Sequence, residues 1–211
     1  GNPYEVESNF VRIFDMWILG ENHLWSGFGL QFDPEGLLST FPSVGTVLLG
    51  YLAGGMIQTS KQYSDCAKRM AIFGFGLTII GFIWGFIFPI NKALWTSSYV
   101  LFTGGIALLV LSALTWIIDG KQWKKPFWIF EVFGTNSLFI FVGSGLWAKT
   151  ILKIKFTLEE NTISGYGYLY QTIFQPFAGD LNGSLLFALS HVLGWWFILY
   201  WLYRKKIFIK L

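Results

Sequence analysis

Five long apolar segments restrict what this 211-residue chain can fold into. They cover residues 37–57, 70–88, 99–118, 127–148 and 184–203. Each segment is close to the ~20 residues that an α-helix needs to cross the hydrocarbon core of a bilayer. A backbone in hydrocarbon must satisfy its hydrogen bonds within its own segment, which a helix does. The sequence therefore predicts an all-α, polytopic bundle of about five transmembrane helices.

The small proportion of charged residues excludes a water-soluble domain of this length. Hydrophobic residues make up 54% of the chain and charged residues only 13%, which leaves too little polar surface for a soluble fold. The net charge of +3 does not point to nucleic acid, because most Lys and Arg lie at the ends of the apolar segments, where anionic lipid headgroups account for them. We therefore expect the lipid bilayer, and no nucleic acid, as a partner.

Basic residues fall mainly on one side of the predicted bundle and so predict its orientation. Five crossings place the two chain ends on opposite sides of the membrane. One side collects Lys61, Lys68, Arg69, Lys121, Lys124, Lys125, Arg204, Lys205, Lys206 and Lys210, and the other holds Arg12, Lys92, Lys149, Lys153 and Lys155. By the positive-inside rule the first side is cytoplasmic. We therefore expect an exoplasmic N-terminus, a cytoplasmic C-terminus and a long exoplasmic loop over residues 153–183.

The first 36 residues differ from the rest of the chain. Apolar side chains at positions 10, 13, 14, 17 and 18 have the spacing of a helix with one apolar face. We expect residues 1–36 to form an exoplasmic amphipathic segment and residues 37–211 to form one transmembrane helical domain. The chain begins at Gly1 without an initiator methionine, and we expect it to be a segment of a longer protein.

Two carboxylates, Asp33 and Glu35, lie just before the first apolar segment. Pro34 disfavours helix at Asp33, so both acids precede the start of a helix. The sequence leaves two interpretations open. The acids compensate the positive end of the helix, which is worth ~0.3–1 kcal/mol, or they bind a cationic or hydroxylated ligand. Pro42, inside the same segment, is expected to kink the helix.

A polar cluster follows the second apolar segment, in the turn formed by residues 88–99. The cluster contains Asn91, Lys92, Trp95, Ser97 and Ser98. As a ligand site, Lys92 supplies charge and Trp95 supplies a stacking face. As a plain connector, the turn is a helix stopped by proline and followed by a Thr or Ser cap.

Polar groups inside the predicted spans need a protein or water partner. Asn136 and Ser137 lie near the middle of the fourth span, where they either bond neighbouring helices or contact a ligand. Glu131 lies near the cytoplasmic end of the same span. It is expected to pair with Lys124 or Lys125.

The chain has two histidines, His23 and His191, and one cysteine, Cys66. His23 is predicted to be exoplasmic and near acids, so it is a weak candidate for a general base, together with Asp33 and Glu35. His191 is expected to make an interhelical hydrogen bond. Two separated histidines predict no metal site, and one cysteine, expected in a cytoplasmic loop, excludes an internal disulfide.

Six motifs occur in order across nearly the whole chain. They are LGENHLW at 19–25, FDPEGLLST at 32–40, LLGYLAG at 48–54, PINKALWTSSY at 89–99, GTNS at 134–137 and YRKKIF at 203–208. Together they resemble the C-terminal half of the heparan-alpha-glucosaminide N-acetyltransferase family and its bacterial relatives. Six ordered motifs are more specific than any one of them alone.

The resemblance implies that cytoplasmic acetyl-CoA, as co-substrate, donates an acetyl group to an amino sugar on the outer side. It implies that the family's catalytic histidine belongs to an N-terminal part that precedes this region. Neither His23 nor His191 takes that role, and the chain alone is expected to be inactive. The residues expected to line the acetyl-CoA or sugar cavity are Asn91, Lys92, Trp95, Ser97, Ser98, Asn136 and Ser137.

The remaining expectations concern partners and location. The resemblance implies that missing N-terminal helices of the same protein complete the site. The sequence leaves open whether the protein forms a homo-oligomer. The match to bacterial relatives favours a bacterial inner membrane. Two other functions also remain open, a transporter of an N-acetylglucosamine-related sugar and a scaffold half with no activity by itself. The chain shows no inverted repeat, which favours the enzyme over the transporter.

Overall fold

A computed structural model describes residues 3–27, 29–158 and 161–209 of the chain. The chain divides into two compact units, Gly1–Trp123 and Lys124–Leu211. Each unit has its own buried apolar cluster, around Met70 in the first and around Leu199 in the second. Lys210 of the predicted basic tail lies outside the described residues.

The described part of the first unit contains four α-helices. They are α1 (Phe10–Leu19), α2 (Leu37–Thr59), α3 (Tyr63–Trp84) and α4 (Ser97–Leu114), and the last continues as a π-helical turn over Thr115–Gly120. Helix α1 confirms the predicted amphipathic helix, since it buries Asp15 and exposes Ile13 and Trp17. Its first turn is capped by Asn9, whose side-chain oxygen accepts a hydrogen bond from the amide of Arg12 at 2.8 Å.

Helices α2 and α4 confirm the first and third predicted spans, and α2 continues through Pro42. The second prediction, residues 70–88, is wrong at both ends, because α3 begins at Tyr63 and ends at Trp84. Charged residues such as Asp65 and Lys68 fit the first turns of a spanning helix, which extend beyond the hydrocarbon. Turns occupy residues 85–88, ahead of Pro89, which disfavours helix in the residue before it.

Cys66 is part of α3 and not of a cytoplasmic loop, so its predicted position is wrong. Its side chain is fully buried. The thiol donates to the carbonyl of Met56 in α2, with Sγ 3.4 Å from the oxygen. The cysteine therefore packs as a small apolar residue between two helices.

Helices α3 and α4 pack through glycines at backbone distance. A Cβ at Gly74 would lie 2.8 Å from the carbonyl oxygen of Gly105. A Cβ at Gly81 would overlap the backbone nitrogen of Phe102, and Gly105 is similarly close to the amide of Thr78. Small residues that let helix backbones approach closely are the usual interface in membranes, where lipid supplies no hydrophobic driving force. Helices α3 and α4 therefore pack closely through these glycines.

The second unit contains a broken span. Helix α5 (Trp128–Thr135) follows a 3-10 turn at Lys125–Phe127 and is separated from α6 (Ser137–Lys153) by Asn136. Residues 125–135 and 137–153 are bent by 66° relative to each other. The predicted continuous helix over residues 127–148 is therefore wrong.

Asn136 explains the break. Its backbone leaves the helical region, with φ −133° and ψ 42°, and its side chain is buried. The side-chain amide donates to the carbonyl of Ile207 at 3.1 Å and accepts from the amide of Ile209 at 2.8 Å. Asn side chains compete with helical backbone bonds in this way. Asn136 thus binds the chain just beyond the end of the last helix.

The predicted exoplasmic loop over residues 153–183 is wrong, because most of it has regular structure. Strands β1 (Lys155–Leu158) and β2 (Asn161–Ser164) pair antiparallel, with Lys155 opposite Ser164. They lead into α7 (Gly165–Leu169) and a π-helical turn at Tyr170–Phe174, and then into α8 (Gln175–Arg204). The predicted span 184–203 lies within α8, which is kinked at Gly179, where φ is 73°.

Among the described residues, four helical segments are long and apolar enough to cross a membrane, and a fifth span results if the bent pair α5 and α6 is counted as one. Their surfaces expose large apolar side chains, for example Phe73 at 58% and Phe75 at 61%. Exposed apolar area on this scale requires a bilayer and not water. The prediction of an all-α transmembrane protein is confirmed.

Candidate functional site

A polar cleft lies at the end of the first unit where α2 begins and where the chain enters α4. Its volume is about 610 Å³. The residues that line it are Trp25, Asp33, Pro34, Glu35, Lys92, Ala93 and Trp95. Two acids, one base and two indole rings thus share one cavity. Four of these seven residues, Asp33, Glu35, Lys92 and Trp95, are candidates from the sequence.

The two acids in the polar cleft do not cap α2. Gly36 occupies the cap position, and the first turn of the helix contains no acid. Asp15 of α1 takes the capping role instead, because its Oδ1 accepts a hydrogen bond from the amide of Leu38 at 2.9 Å. Asp33 Oδ1 accepts from the amide of Glu35 at 2.9 Å and so shapes the turn. Neither acid is therefore a side-chain cap of α2. Compensation of the positive helix end by their charge stays a prediction, and both residues are among those that line the cleft.

Asp15 caps α2 in place of the two acids. Its carboxylate is closely surrounded by protein atoms. The side chain is 1% exposed, and its Oδ2 has no hydrogen-bond partner among the described residues. A Cβ on Gly36 would overlap that oxygen, so the turn needs glycine for its lack of a side chain. Burial raises the pKa of the Asp15 carboxyl, and the nearby charge of Asp33 raises it further, against the lowering effect of bonds from the amides of Leu38 and Leu37.

Two substitutions of Asp15 are expected to distinguish the contribution of its capping hydrogen bond from the contribution of its ionisable carboxyl group. A raised pKa means that the folded state binds the proton more tightly than the unfolded chain, so Asp15 stabilises the fold at low pH and this contribution is lost as pH rises through the folded-state pKa. Asp15→Asn keeps the acceptor for Leu38 and is expected to remove that pH dependence. Asp15→Ala loses the cap, at a cost of about 0.5–2 kcal/mol. Thermal unfolding between pH 4 and pH 8 measures both effects, and equal destabilisation by the two variants would contradict the account.

The turn before α4 is held by its own polar side chains. Asn91 accepts hydrogen bonds from the amides of Ala93 at 2.8 Å and Leu94 at 3.3 Å. Thr96 caps α4 by accepting from the amide of Tyr99 at 3.4 Å, and its hydroxyl lies 2.9 Å from the carbonyl oxygen of Pro89. A threonine cap was one of the two interpretations of this turn, and it is present. Asn91 therefore shapes the turn and does not line the polar cleft.

Ser97 and Ser98 also have partners within the protein. Ser97 accepts a hydrogen bond from the indole nitrogen of Trp84 at 3.0 Å. Ser98 is fully buried, and its hydroxyl lies 3.1 Å from that of Thr96. Neither serine is among the residues that line the polar cleft. The structure thus brings Lys92 and Trp95 of this cluster together with Asp33 and Glu35, and leaves the hydroxyls out.

Trp95 adopts a backbone conformation that is uncommon for its type. Its φ is 49°, in the left-handed region that bulky residues avoid. The indole nitrogen donates to the hydroxyl of Thr46 in α2 at 3.3 Å, and the ring packs edge to face against Tyr99 at a centroid distance of 5.6 Å. Residues held in sparsely populated conformations concentrate at ligand sites, where the surrounding contacts support them. The geometry of Trp95 is therefore consistent with a site that fixes an aromatic face.

Neither histidine is among the residues that line the polar cleft. His23 is exposed in the 3-10 turn Glu21–His23, and its Nδ1 lies 2.8 Å from the carbonyl of Leu19. His191 belongs to the second unit, and its Nδ1 lies 2.9 Å from the carbonyl of Phe187 in its own helix. The predicted interhelical bond of His191 is therefore not the one observed. His191 lines a separate cavity of about 370 Å³ with Trp147, Tyr166 and Trp195.

The remaining candidates belong to the second unit. The side chain of Asn136 makes hydrogen bonds with the backbone of Ile207 and Ile209, as described above. Ser137 is the first residue of α6 and is exposed. Glu131 accepts a hydrogen bond from the hydroxyl of Tyr203 at 3.1 Å. Within the described residues this replaces the predicted ion pair with Lys124 or Lys125.

Comparison with known proteins supports the resemblance found in the motifs. No known family profile matches the chain. The human enzyme heparan-alpha-glucosaminide N-acetyltransferase is 28% identical over 214 aligned positions, which cover 93% of this chain. The chain resembles this acetyltransferase. The mouse protein of the same name is 29% identical over the same share of the chain. The chain spans about 29% of the length of these curated relatives.

Among the described residues, no group of three His, Cys, Asp or Glu side chains is close enough to hold a metal ion. The cavities of the second unit are lined mainly by apolar and aromatic residues. The polar cleft of the first unit is therefore the candidate site.

Proposed function

We propose that this chain belongs to a membrane-bound acetyltransferase that moves an acetyl group from acetyl-CoA to an amino sugar, and that the polar cleft binds the acceptor. The similarity to an enzyme named heparan-alpha-glucosaminide N-acetyltransferase supports acetyl transfer. The assignment of the cleft depends on two observations. Asp15, and neither Asp33 nor Glu35, caps α2. The two acids line one cavity together with Lys92, Trp25 and Trp95. A volume of about 610 Å³ suits a small sugar ligand.

Each group in the polar cleft has a use in this reaction. Carboxylates attract the protonated amine of the sugar, and either Asp33 or Glu35 can accept the proton that the amine must lose. Indole rings such as Trp25 and Trp95 offer apolar faces to a sugar ring. The ammonium of Lys92 is a donor for the oxyanion that develops on the acetyl carbonyl.

The reaction itself is a simple acyl transfer. The amine nitrogen of the sugar attacks the carbonyl carbon of the acetyl thioester and forms an amide bond. The carbon–sulfur bond breaks, the CoA thiolate leaves with the electron pair, and the proton of the amine passes to the general base. No oxidant, reductant or metal enters the balance.

The orientation that we propose places the polar cleft on the exoplasmic side. Within the first unit, α2, α3 and α4 run alternately up and down, so the cleft lies at one end and the turn at residues 60–62 lies at the other. Lys61, Lys68, Arg69 and Lys121 belong to the far end. By the positive-inside rule the far end is cytoplasmic, as in a bacterial inner membrane with acetyl-CoA inside the cell. The acetyl thioester of cytoplasmic acetyl-CoA must then extend into the bundle from that side to meet the amine of the sugar in the cleft.

Cysteine labelling tests this orientation in a protein whose cysteines outside this chain have been replaced, because within the chain Cys66 is the one cysteine and is buried. A membrane-impermeant maleimide added outside intact cells is expected to label Glu21→Cys and to leave Lys121→Cys unlabelled. In inverted vesicles the pattern is expected to reverse. Labelling of Lys121→Cys from outside would place the cleft on the cytoplasmic side.

Transfer of labelled acetyl tests the function. Membranes containing the intact protein and labelled acetyl-CoA are expected to produce N-acetylated glucosamine, with free CoA released in equal amount. A transporter would instead accumulate sugar in proteoliposomes without consuming acetyl-CoA. The proposal fails if no label leaves CoA for any glucosamine-type acceptor.

A further inference from the structure

The first unit contains a second cavity next to the polar cleft. Its volume is about 490 Å³, and we refer to it as the apolar cavity. Its lining includes Phe10, Val11, Leu38, Phe41, Phe88 and Leu94. Aromatic and aliphatic groups therefore form most of its wall, in contrast to the acids and the lysine of the polar cleft.

The two cavities follow one another along the same chain segments. Asp33 and Glu35 precede α2 and line the polar cleft, whereas Leu38 and Phe41 lie in the first two turns of α2 and line the apolar cavity. The apolar cavity therefore adjoins the polar cleft along the first turns of α2. Trp95 lines both cavities.

The apolar cavity has an exposed rim of aromatic side chains. Phe10 and Phe41 line it and are also 68% and 69% exposed, so they form part of its rim. Phe10 begins the amphipathic helix α1, whose exposed residues Ile13 and Trp17 suit the membrane interface. A helix of this kind lies at the depth where headgroups meet hydrocarbon. The polar cleft then faces headgroups and the apolar cavity faces acyl chains.

We infer that the acceptor is an amphipathic molecule, a lipid-linked amino sugar, whose sugar binds in the polar cleft and whose apolar chain enters the apolar cavity past Trp95. This inference rests on the proposed acetyl transfer and names the class of acceptor. The chemistry of the transfer is unchanged, since the chain takes no part in the bonds that form and break. Its contribution is binding, through the apolar surface that the chain removes from water.

Two acceptors with the same amine test the inference, methyl glucosaminide and octyl glucosaminide, with the intact protein in nanodiscs. The octyl acceptor is expected to have a KM at least about tenfold lower. Partition of octyl glucosaminide into the bilayer also lowers its apparent KM, so the variant Val11→Trp, which fills the apolar cavity, is compared with Val44→Trp. Val44 is exposed on α2 and is not among the residues that line either cavity.

Val11→Trp is expected to raise the KM of the octyl acceptor about tenfold, whereas Val44→Trp is expected to keep the wild-type value. Equal KM values in the two variants would overturn the inference and leave acetyl transfer standing. Absence of acetylation with both acceptors in the wild-type protein would instead overturn the proposed function. The thermal unfolding midpoint of each variant shows whether it folds.

A photoreactive acceptor gives a second readout that needs no variant. An octyl glucosaminide with a diazirine at the chain end is expected to label Phe88 and the buried Leu94 of the wild-type protein. Labelling confined to lipid-exposed residues such as Phe73 would contradict a bound chain, because that pattern is expected from bilayer partition alone.

Discussion

Replacing both acids of the polar cleft, as Asp33→Asn with Glu35→Gln, is expected to reduce the rate of acetyl transfer to glucosamine by about 100-fold. General-base catalysis contributes about 10²–10⁴-fold in enzymes, and an amide of the same shape neither accepts the proton of the amine nor attracts the ammonium form. The KM for the sugar is expected to rise as well. Initial rates with labelled acetyl-CoA and membranes of equal protein content measure both quantities.

The matched control is Glu21→Gln, which removes a carboxylate from the same unit. Glu21 is exposed in the 3-10 turn and is not among the residues that line the polar cleft. Its variant is expected to retain the wild-type rate. A double variant of Asp33 and Glu35 that acetylates glucosamine as fast as the Glu21 variant would show that the cleft acids do not act on the acceptor.

The second large effect is expected at the crossing of α3 and α4. In Gly81→Val, the added side chain would meet the backbone nitrogen of Phe102, which cannot move aside without separating the two helices. Overpacking costs about 1–3 kcal/mol even where side chains are able to repack, and here the obstacle is backbone. We expect the variant to lose most of its folded, monodisperse protein after extraction, as measured by size-exclusion chromatography and thermal unfolding.

Gly76→Val is the control for that substitution. Gly76 lies on the same helix, and a Cβ at this position meets nothing within 4 Å. The control therefore adds the same side chain and the same cost in helix propensity without the collision. Equal losses of folded protein in both variants would attribute the effect to glycine itself and not to the close contact of α3 with α4.

The local features of the fold were predictable from the sequence. Apolar length gave α2 and α4 within a few residues, and the spacing of Phe10, Ile13 and Trp17 gave α1, because each pattern depends on residues close together in the chain. The threonine cap at Thr96 is local in the same way. Lys92 was a candidate from the sequence because the turn between two apolar segments combines an ammonium, an amide, an indole and several hydroxyls, although the sequence left a plain connector open.

The errors share a physical cause, which is contact between residues far apart in sequence. Asp15 caps α2 by accepting a hydrogen bond from the amide of Leu38, which lies 23 residues away. Asp33 and Glu35 therefore do not serve as the cap and line the polar cleft instead. Asn136 breaks the fourth span by bonding residues that lie 71 and 73 positions later. No periodicity encodes either contact. An acid on the amphipathic helix was the available signal for Asp15.

Protection of a cysteine in the polar cleft by the acceptor tests the central claim most directly. Ala93→Cys places a thiol among the lining residues, and the native Cys66 is buried and adds no signal. Glucosamine at saturating concentration is expected to slow maleimide labelling of Ala93→Cys about tenfold and to leave labelling of Glu21→Cys unchanged. Equal labelling rates of Ala93→Cys with and without glucosamine would contradict binding of the amino sugar in this cleft.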